Sequence, residues 1–306
     1  MGKIAFLFSG QGAQHPGMGK EFYETNVRVK AVFDAAEAIR PGTLHQMFDG
    51  DADTLKQTEN TQPCLYLADL AAALALEDLG VHADAAAGFS LGELPALAFA
   101  SAFTAEDGFS ITCRRGEAMS VASKNHPASM VAVLKMKNED VEALCAQCEE
   151  VYPVNYNCPG QLVVSGTASG LEAFKALVKT AGGRVVPLAV SGGFHSPFMN
   201  DAVEPFGAYI DTVAFSAPRI PAYSNFTSEP YGKEIKPILK QQINHPVRWE
   251  AIVRNMAKAG FDTFIEVGVG NTLQKLVSKT LPQAKTFAVE TPAAAAEVAK
   301  ELNADA

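Results

Sequence analysis

The chain is poor in long apolar segments and in positive charge. No stretch of its 306 residues approaches the roughly 18 uncharged apolar residues of a membrane span, so no transmembrane helix is predicted. The apolar run 4–8 is too short for the core of a signal peptide, and a glycine-rich stretch follows it directly. Lys and Arg total 25 against 34 Asp and Glu, a formal net charge of −9, which argues against nonspecific binding to nucleic acid or to anionic membranes.

Cysteine is also scarce, with five residues, and this sparse usage suits a reducing compartment. We therefore expect a cytoplasmic protein. Cys145 and Cys148 form a C-x-x-C pair, but they fall within a stretch, 138–149, that has the pattern of an amphipathic helix. No second pair or suitably spaced histidine completes a zinc site. We expect two ordinary helix residues and no metal.

Two glycine-rich loops suggest nucleotide binding but lack its full motif. The dinucleotide fingerprint G-x-G-x-x-G, started at Gly10, requires a third glycine at the position of His15. Started at Gly268, it requires a third glycine at the position of Leu273. No glycine-rich loop precedes the Lys-Ser or Lys-Thr pair of a P-loop. The sequence therefore predicts no cofactor.

Strand and helix patterns alternate over most of the chain. Short apolar runs predict strands at 4–8, 83–89, 220–224 and 263–267. Helical spacing predicts helices at 19–38, 63–79, a stretch ending at 100, 106–122, 196–213, 234–242 and 249–259. This alternation predicts an α/β fold with a parallel sheet covered on both faces. The alanine-rich tail at 293–296 is assigned to no element.

The middle of the chain has a different order of elements. Strands are predicted at 129–134, 151–157, 161–165 and 184–190, with helices at 138–149 and 169–181. The order β-α-β-β-α-β is that of the ferredoxin-like fold. We therefore predict a large α/β-hydrolase-like domain formed by residues 1–125 and 191–306. A ferredoxin-like subdomain, 126–190, is inserted into it.

The strongest chemical motif is the G-x-S-x-G of residues 88–92, with Ser90 at its centre. It lies between a predicted strand and a predicted helix, where a sharp turn exposes the serine hydroxyl and small glycines let the backbone close up. The helix N-terminus supplies N–H groups and a positive dipole end that stabilise an oxyanion. Ser90 is therefore a candidate nucleophile.

A serine nucleophile requires a base near neutral pH. Of the six histidines, His195 has the best setting, because glycines precede it and the cap-and-proline pair Ser196-Pro197 begins a helix after it. The alternative is a histidine that only closes a loop. The other five histidines have the surroundings of surface or loop residues, and His15 lies in the first glycine-rich loop.

Eight motifs occur in an order that resembles a known family. They are 10–14 (GQGAQ), 61–63 (TQP), 88–93 (GFSLGE), 115–116 (RG), 155–161 (N-x-N-x-PGQ), 194–196 (FHS), 242–249 (Q…PV-x-W) and 266–268 (EVG). Together they resemble the malonyl-CoA:acyl carrier protein transacylases of type II fatty acid synthesis and the related polyketide acyltransferase domains. The match runs from about residue 3 to about residue 280.

This resemblance implies roles for the reacting groups. Ser90 would be the nucleophile that becomes malonylated, and His195 its general base and later general acid. The backbone carbonyl of Gln242 would orient the histidine, so Gln242→Ala should matter less than His195→Ala. The backbone N–H groups of Gln11 and Leu91 would form the oxyanion hole.

The resemblance also implies how substrates bind. The guanidinium of Arg115 would hold the malonyl carboxylate with two parallel hydrogen bonds, which a lysine cannot reproduce. Gln62 and Asn157 would line the site. Phe194 resembles the residue of malonyl-selective relatives, where methylmalonyl-selective ones tend to have serine. The implied substrates are malonyl-CoA and holo acyl carrier protein, used in a ping-pong reaction by a monomer.

One residue departs from the family, and one surface is open to two interpretations. Family members often have histidine before the nucleophile, whereas this chain has Phe89, which puts any tuning of the turn by that histidine in doubt. Because the carrier protein is typically acidic, a local basic surface is expected, with Lys275 and Lys279 as candidates. Alternatively, these lysines only solvate a helix face.

Three other functions stay open from the sequence. A serine hydrolase would use the same nucleophile, although the chain lacks the H-G-G-type oxyanion loop of α/β-hydrolases and the late Asp-Gly pair of patatin-like lipases. A stand-alone acyltransferase of polyketide synthesis shares all the motifs. An inactive scaffold that only binds the carrier is the third, disfavoured by the intact Ser90, His195, Arg115 and Gln11.

Overall fold

The computed structural model describes residues 2–190 and 192–304. The strands are β1 (Lys3–Phe8), β2 (Ala85–Gly88), β3 (Ser129–Leu134), β4 (Val151–Cys158), β5 (Gln161–Gly166), β6 (Arg184–Pro187), β7 (Ala222–Tyr223), β8 (Phe261–Val267) and β9 (Lys285–Val289). The helices are α1 (Lys20–Thr25), α2 (Val27–Ile39), α3 (Thr43–Phe48), α4 (Ala52–Leu55), α5 (Thr58–Asp78), α6 (Glu93–Phe99), α7 (Ala105–Asn125), α8 (Asn138–Cys145), α9 (Ala168–Thr180), α10 (Asn200–Thr212), α11 (Ile235–Gln241), α12 (Trp249–Lys258), α13 (Thr272–Thr280) and α14 (Pro292–Ala304).

The larger sheet has five parallel strands in the order β7-β2-β1-β8-β9. Its central strands are buried on both faces, which explains why β1 and β2 are continuous apolar runs without alternation. The predicted α/β fold with a parallel sheet is confirmed. Because parallel strands begin and end together, the loops after β1, β2, β7 and β8 meet at one edge of this sheet.

The second sheet is antiparallel, in the order β4-β5-β3-β6. With α8 and α9 packed on a separate apolar core, it has the predicted ferredoxin-like arrangement. Cys145 is buried in that core, and the helix predicted to continue to 149 ends there. The division into 1–125 with 191–306 and 126–190 stays a prediction, and its boundary at 191 lies outside the described residues.

Three helix predictions were wrong for identifiable reasons. The helix predicted at 63–79 was given Pro63 as its first residue. In the structure this helix begins at Thr58, and Pro63 lies inside α5. The helix predicted at 19–38 is broken at Asn26, whose side chain accepts hydrogen bonds from the N–H groups of Arg28 and Val29 and so starts α2. The helix predicted from 196 begins as a 3₁₀ turn, Pro197–Met199.

The last strand and several helices have weak sequence signals. The alanine-rich tail is α14, which packs beside α5 and covers β9. β9 was missed because most of its residues are only half buried. No prediction covered α3, α4 or α13. In the described part of the chain, no helix is long and apolar enough to cross a bilayer.

Candidate active site

Ser90 lies in a tight turn between β2 and α6. Its backbone is left-handed, with φ of 54°, and the 3₁₀ turn Ser90–Gly92 leads into the helix. A Cβ on Gly88 would lie 1.9 Å from the carbonyl carbon of Gly92, and one on Gly92 would lie 2.2 Å from the carbonyl oxygen of Phe8. Both glycines are therefore required by close backbone contacts, as the G-x-S-x-G pattern predicts.

His195 approaches Ser90 from the loop before α10. Its Nε2 is 2.6 Å from Ser90 Oγ, and its Nδ1 is 3.0 Å from the carbonyl oxygen of Gln242 and 3.2 Å from that of His245. Because a carbonyl oxygen only accepts hydrogen bonds, the proton of the neutral imidazole is on Nδ1. Nε2 is then free to accept the serine proton. The His245 carbonyl is a second contact that the sequence did not indicate.

The environment keeps the His195 imidazole neutral. Burial, followed by the positive charge of Arg115, lowers the pKa of His195 from its ordinary value of 6.5 to about 3. The hydrogen bonds to the two carbonyls act in the opposite direction. A neutral imidazole is the form that accepts a proton, so His195 has the protonation state of a base at neutral pH.

Arg115 is fully buried beside Ser90 on α7. One guanidinium nitrogen donates to Gln62 Oε1 at 2.8 Å, and the other donates to Gln242 Oε1 at 2.8 Å and to Ser90 Oγ at 3.2 Å. Burial lowers the pKa of Arg115 to about 10, and Glu93 opposes that effect. Arg115 therefore stays charged at neutral pH. Among the described residues, no carboxylate forms an ion pair with it, and its positive charge can serve an anionic substrate.

A cavity of about 90 Å³ lies at Ser90 and His195, and neither Arg115 nor Gln242 is among the residues that line it. Its lining includes Ser90, His195, Gln11, Gln62, Leu91 and Phe194. A neighbouring cavity of about 220 Å³ shares Gln11, Phe89 and Asn155 with the first. Asn157 was expected to line the site beside Ser90. In the structure it lines only this second cavity.

The proposed docking lysines lie on a neighbouring helix. Lys275 and Lys279 are exposed on α13, whose residues Thr272, Leu273 and Leu276 line the second cavity. This position beside the second cavity fits a basic docking surface for the carrier protein, and it also fits a helix face that only contacts solvent.

Sequence reasoning missed a buried polar group beneath Ser90. Glu93 accepts hydrogen bonds from Tyr231 Oη, from the backbone N–H of Asn225 at 3.1 Å and from Gln242 Nε2 at 3.1 Å. Burial raises the pKa of Glu93 to about 7, against the effect of these hydrogen bonds. The side chain of Gln242 also donates to the carbonyl oxygen of Ser90 at 2.6 Å. The Gln242 side chain therefore connects Arg115, Ser90 and Glu93, while the Gln242 carbonyl binds His195.

A signal for Asn225 was present in the sequence. It lies two residues after the end of β7, and β7 pairs in parallel with β2, the strand that precedes Ser90. Polar residues after adjacent parallel strands lie at the same sheet edge. The register between the two strands, which the sequence alone does not give, was needed to use this signal.

Comparisons with known proteins cover nearly the whole chain. The profile of the acyl transferase domain family matches residues 5–304. A malonyl CoA-acyl carrier protein transacylase of Bacillus subtilis (strain 168) is 38% identical over 300 residues, which cover 95% of each chain. The crystal structure of a malonyl CoA-acyl carrier protein transacylase from Clostridium perfringens superimposes with a TM-score of 0.95 at 33% identity, covering 99% of this chain and 98% of that one.

A second solved structure contains a carrier protein. It is described as a type II PKS acyl-carrier protein in complex with its malonyl-transacylase. The matched chain superimposes with a TM-score of 0.93 at 27% identity, and the match covers 98% of this chain and 99% of that one.

Proposed function

The chain belongs to the acyl transferase family, within the group of malonyl-CoA:acyl carrier protein transacylases, and from that premise we propose that it transfers malonyl by way of Ser90. Malonyl-CoA acylates the serine, and the phosphopantetheine thiol of acyl carrier protein then removes the acyl group. The observation that carries the proposal is the arrangement around Ser90 Oγ. His195 Nε2 lies 2.6 Å from it, and the Arg115 guanidinium lies 3.2 Å from it.

In the first half-reaction, the Ser90 hydroxyl gives its proton to His195 Nε2 while Oγ attacks the thioester carbonyl. The negative charge moves to the carbonyl oxygen, where the N–H groups of Gln11 and Leu91 would stabilise it. Collapse of this tetrahedral species breaks the C–S bond. The departing CoA sulfur takes the proton from His195 and leaves as the thiol.

The second half-reaction reverses these steps with a new thiol. The carrier thiol gives its proton to His195, and its sulfur attacks the ester carbonyl of malonyl-Ser90. Collapse breaks the C–O bond to Ser90, and the serine oxygen recovers the proton from His195. The imidazole begins and ends each half-reaction neutral, in keeping with its lowered pKa.

Arg115 supports the choice of a dicarboxylic acyl group. A malonyl unit carries a free carboxylate, and a charged guanidinium in a buried site binds it far more strongly than it binds a neutral acetyl unit. Gln62 and Gln242 fix the guanidinium plane through neutral hydrogen bonds, so the charge is not cancelled. Phe194 lines the cavity at Ser90 and His195, where it would restrict room for an added methyl group; one such group is worth about 1–3 kcal/mol of discrimination.

The carrier partner defines a second candidate function. The superposition on a transacylase solved with a polyketide carrier favours the same chemistry in polyketide synthesis. Transfer to a fatty acid carrier and to a polyketide carrier would use identical steps at Ser90. Comparing the rates with the two holo-carriers separates these functions.

Intact-protein mass spectrometry tests the acyl-enzyme directly. Wild-type protein incubated with malonyl-CoA should gain one malonyl group, and Ser90→Ala should gain none. Arg115→Ala should lose the preference for malonyl-CoA over acetyl-CoA while keeping Ser90 reactive. A malonyl adduct on Ser90→Ala, or no adduct on the wild type, would contradict the proposal.

A further inference from the structure

The strained turn at Ser90 is held by the side chain of Asn225. Asn225 Oδ1 accepts the hydrogen bond of the Ser90 backbone N–H at 2.6 Å, and Asn225 Nδ2 donates to the carbonyl oxygen of Gly88 at 2.6 Å. The residue is 1% exposed, so water does not compete for these groups. A left-handed conformation costs a non-glycine residue about 1–2 kcal/mol. The two bonds offset that cost on either side of Ser90.

Asn225 is itself fixed from two directions. Its backbone N–H donates to Glu93 Oε2 at 3.1 Å, and its carbonyl oxygen accepts from the N–H of Arg248 at 3.0 Å. Glu93 is completely buried and also accepts from Tyr231 Oη. The backbone of Asn225 is therefore held by α6 and by the segment before α12.

The turn has one more side-chain contact. Gln242 Nε2 donates to the carbonyl oxygen of Ser90 at 2.6 Å. The carbonyl of Gly88 and both backbone polar groups of Ser90 are thus bound by side chains from other parts of the chain. With its N–H occupied by Asn225, Ser90 cannot use that group for an oxyanion. The next N–H, that of Leu91, stays available to the oxyanion together with that of Gln11.

We propose that Asn225 is a positioning residue that holds Ser90 Oγ at reacting distance from His195, with buried Glu93 keeping the Asn225 amide in place. The inference rests on the proposed function, because it presumes that Ser90 is the nucleophile. Asn225 touches neither the hydroxyl nor the imidazole, and it acts through the backbone on both sides of Ser90.

The first test is the maximum rate of Ser90 acylation by malonyl-CoA in single turnovers. A misplacement of about 1 Å costs on the order of 10²-fold in rate. We expect Asn225→Ala to lower the saturating rate about 10²-fold and to change the apparent KM less than about twofold, because Asn225 contacts neither Arg115 nor Gln62. Asn255→Ala is the matched control, since Asn255 Nδ2 binds Ser228 and Glu229 in the same loop without contacting the turn.

A second test uses the isosteric variant Asn225→Asp. A neutral carboxyl group can accept from the Ser90 N–H and donate to the Gly88 carbonyl, as the amide does, whereas a carboxylate can only accept. The ionised form would also be repelled by an ionised Glu93. The rate of this variant relative to wild type should therefore rise as the pH falls from about 8 to about 6. The titratable and charged groups of the surrounding elements are Glu93, Tyr231, Arg115, His195, His245 and Arg248.

The outcomes separate this inference from the proposed function. If Ser90→Ala still acquires the adduct, the proposed function fails. If Ser90→Ala is inert but Asn225→Ala acylates within about twofold of wild type, or no more slowly than Asn255→Ala, the positioning role is wrong. If Asn225→Ala does not fold, Asn225→Asp takes its place, after thermal unfolding has shown that this variant is folded. An acylation rate of Asn225→Asp relative to wild type that does not change with pH overturns the positioning role.

Discussion

At the scale of single residues, Ser90 and His195 share an unusual backbone conformation. Both are left-handed, with φ of 54° and 61°, which is uncommon for residues other than glycine. Such positions persist only where neighbouring groups hold them. Here the side chains of Asn225 and Gln242 bind the backbone of Ser90, and two carbonyl oxygens bind the imidazole of His195.

The structure gives the side chain of Gln242 a role in addition to that of its carbonyl. The sequence suggested that Gln242→Ala would matter less than His195→Ala, because the carbonyl that orients His195 survives. The side chain also binds Arg115, Ser90 and Glu93, so its loss frees the guanidinium and the turn together. We expect Gln242→Ala to slow acylation about 10–10²-fold and to raise the KM for malonyl-CoA. His195→Ala should slow it about 10²–10⁴-fold, the typical contribution of a general base.

Single-turnover acylation rates across malonyl-CoA concentrations measure both effects. Gln241→Ala, one residue earlier in the chain, is the control for α11 itself. Wild-type kinetics for Gln242→Ala would restore the simpler view that only the carbonyl matters.

The lowered pKa of His195 predicts the pH dependence of acylation. With that pKa at about 3, the imidazole stays neutral between pH 7 and 5, and the acylation rate should not fall over this range. An exposed histidine would lose most of its base form there, because its pKa is about 6.5. Rapid-quench acylation at a series of pH values tests this. A decline with an apparent pKa near 6.5 would contradict the buried, neutral base.

The same shift predicts a loss of stability in acid. The folded pKa of His195 lies below its unfolded value of 6.5, so the unfolded chain binds the proton first. Its contribution to stability is present above pH 6.5 and is lost as the pH falls from there toward 3. Between pH 7 and 5, the free energy of unfolding should fall about 2 kcal/mol more for wild type than for His195→Gln. Urea unfolding of both proteins at the two pH values measures the difference, and equal losses would refute it.

At the scale of secondary structure, the turn after β2 depends on glycine at its two ends. A Cβ on Gly88 would lie 1.9 Å from backbone atoms of Gly92, and backbone cannot move aside as a flexible side chain can. We expect Gly88→Ala to lower the free energy of unfolding by about 3 kcal/mol or more. Gly232→Ala is the control, because a Cβ there meets nothing within 4 Å. Equal urea midpoints for the two variants would contradict this account of the turn.

The elements also show how far the sequence leads. The turn at Ser90 was predictable because its glycines, strand and helix are adjacent in the chain. β1 and β3 were predictable from continuous apolar runs, whereas the half-buried β9 and the alanine-rich α14 show little contrast between polar and apolar residues. The start of α5 was placed too late, since a helix buried on nearly all sides lacks an amphipathic period.

At the site, sequence reasoning fails where a contact depends on residues that are far apart in the chain. Ser90 and His195 came from local motifs, Arg115 and Gln62 came from the family resemblance, and the structure brings the four together. Asn225, Tyr231 and the His245 carbonyl depend on strand register and on side-chain direction, which local patterns do not carry. The same holds for Asn157, whose side chain lines the second cavity instead of the first.

At the scale of the whole molecule, the net charge of −9 would repel an acidic carrier protein. If exposed Lys275 and Lys279 on α13 guide the carrier, its kcat/KM should fall several-fold as ionic strength rises from about 50 to 300 mM. Lys275→Ala and Lys279→Ala should lower kcat/KM for the carrier without altering acylation by malonyl-CoA. Lys300→Ala, an exposed lysine on α14, should change neither. Salt-independent transfer would favour the alternative that these lysines only solvate a helix face.

The central claim is that this molecule transfers malonyl rather than hydrolysing it. The most direct measurement isolates malonyl-Ser90 protein free of CoA and follows its discharge with and without holo acyl carrier protein. We expect slow loss to water and rapid, concentration-dependent loss to the carrier, with malonyl recovered on the phosphopantetheine thiol. Discharge at the same rate with and without the carrier, yielding free malonate, would contradict it and identify a hydrolase.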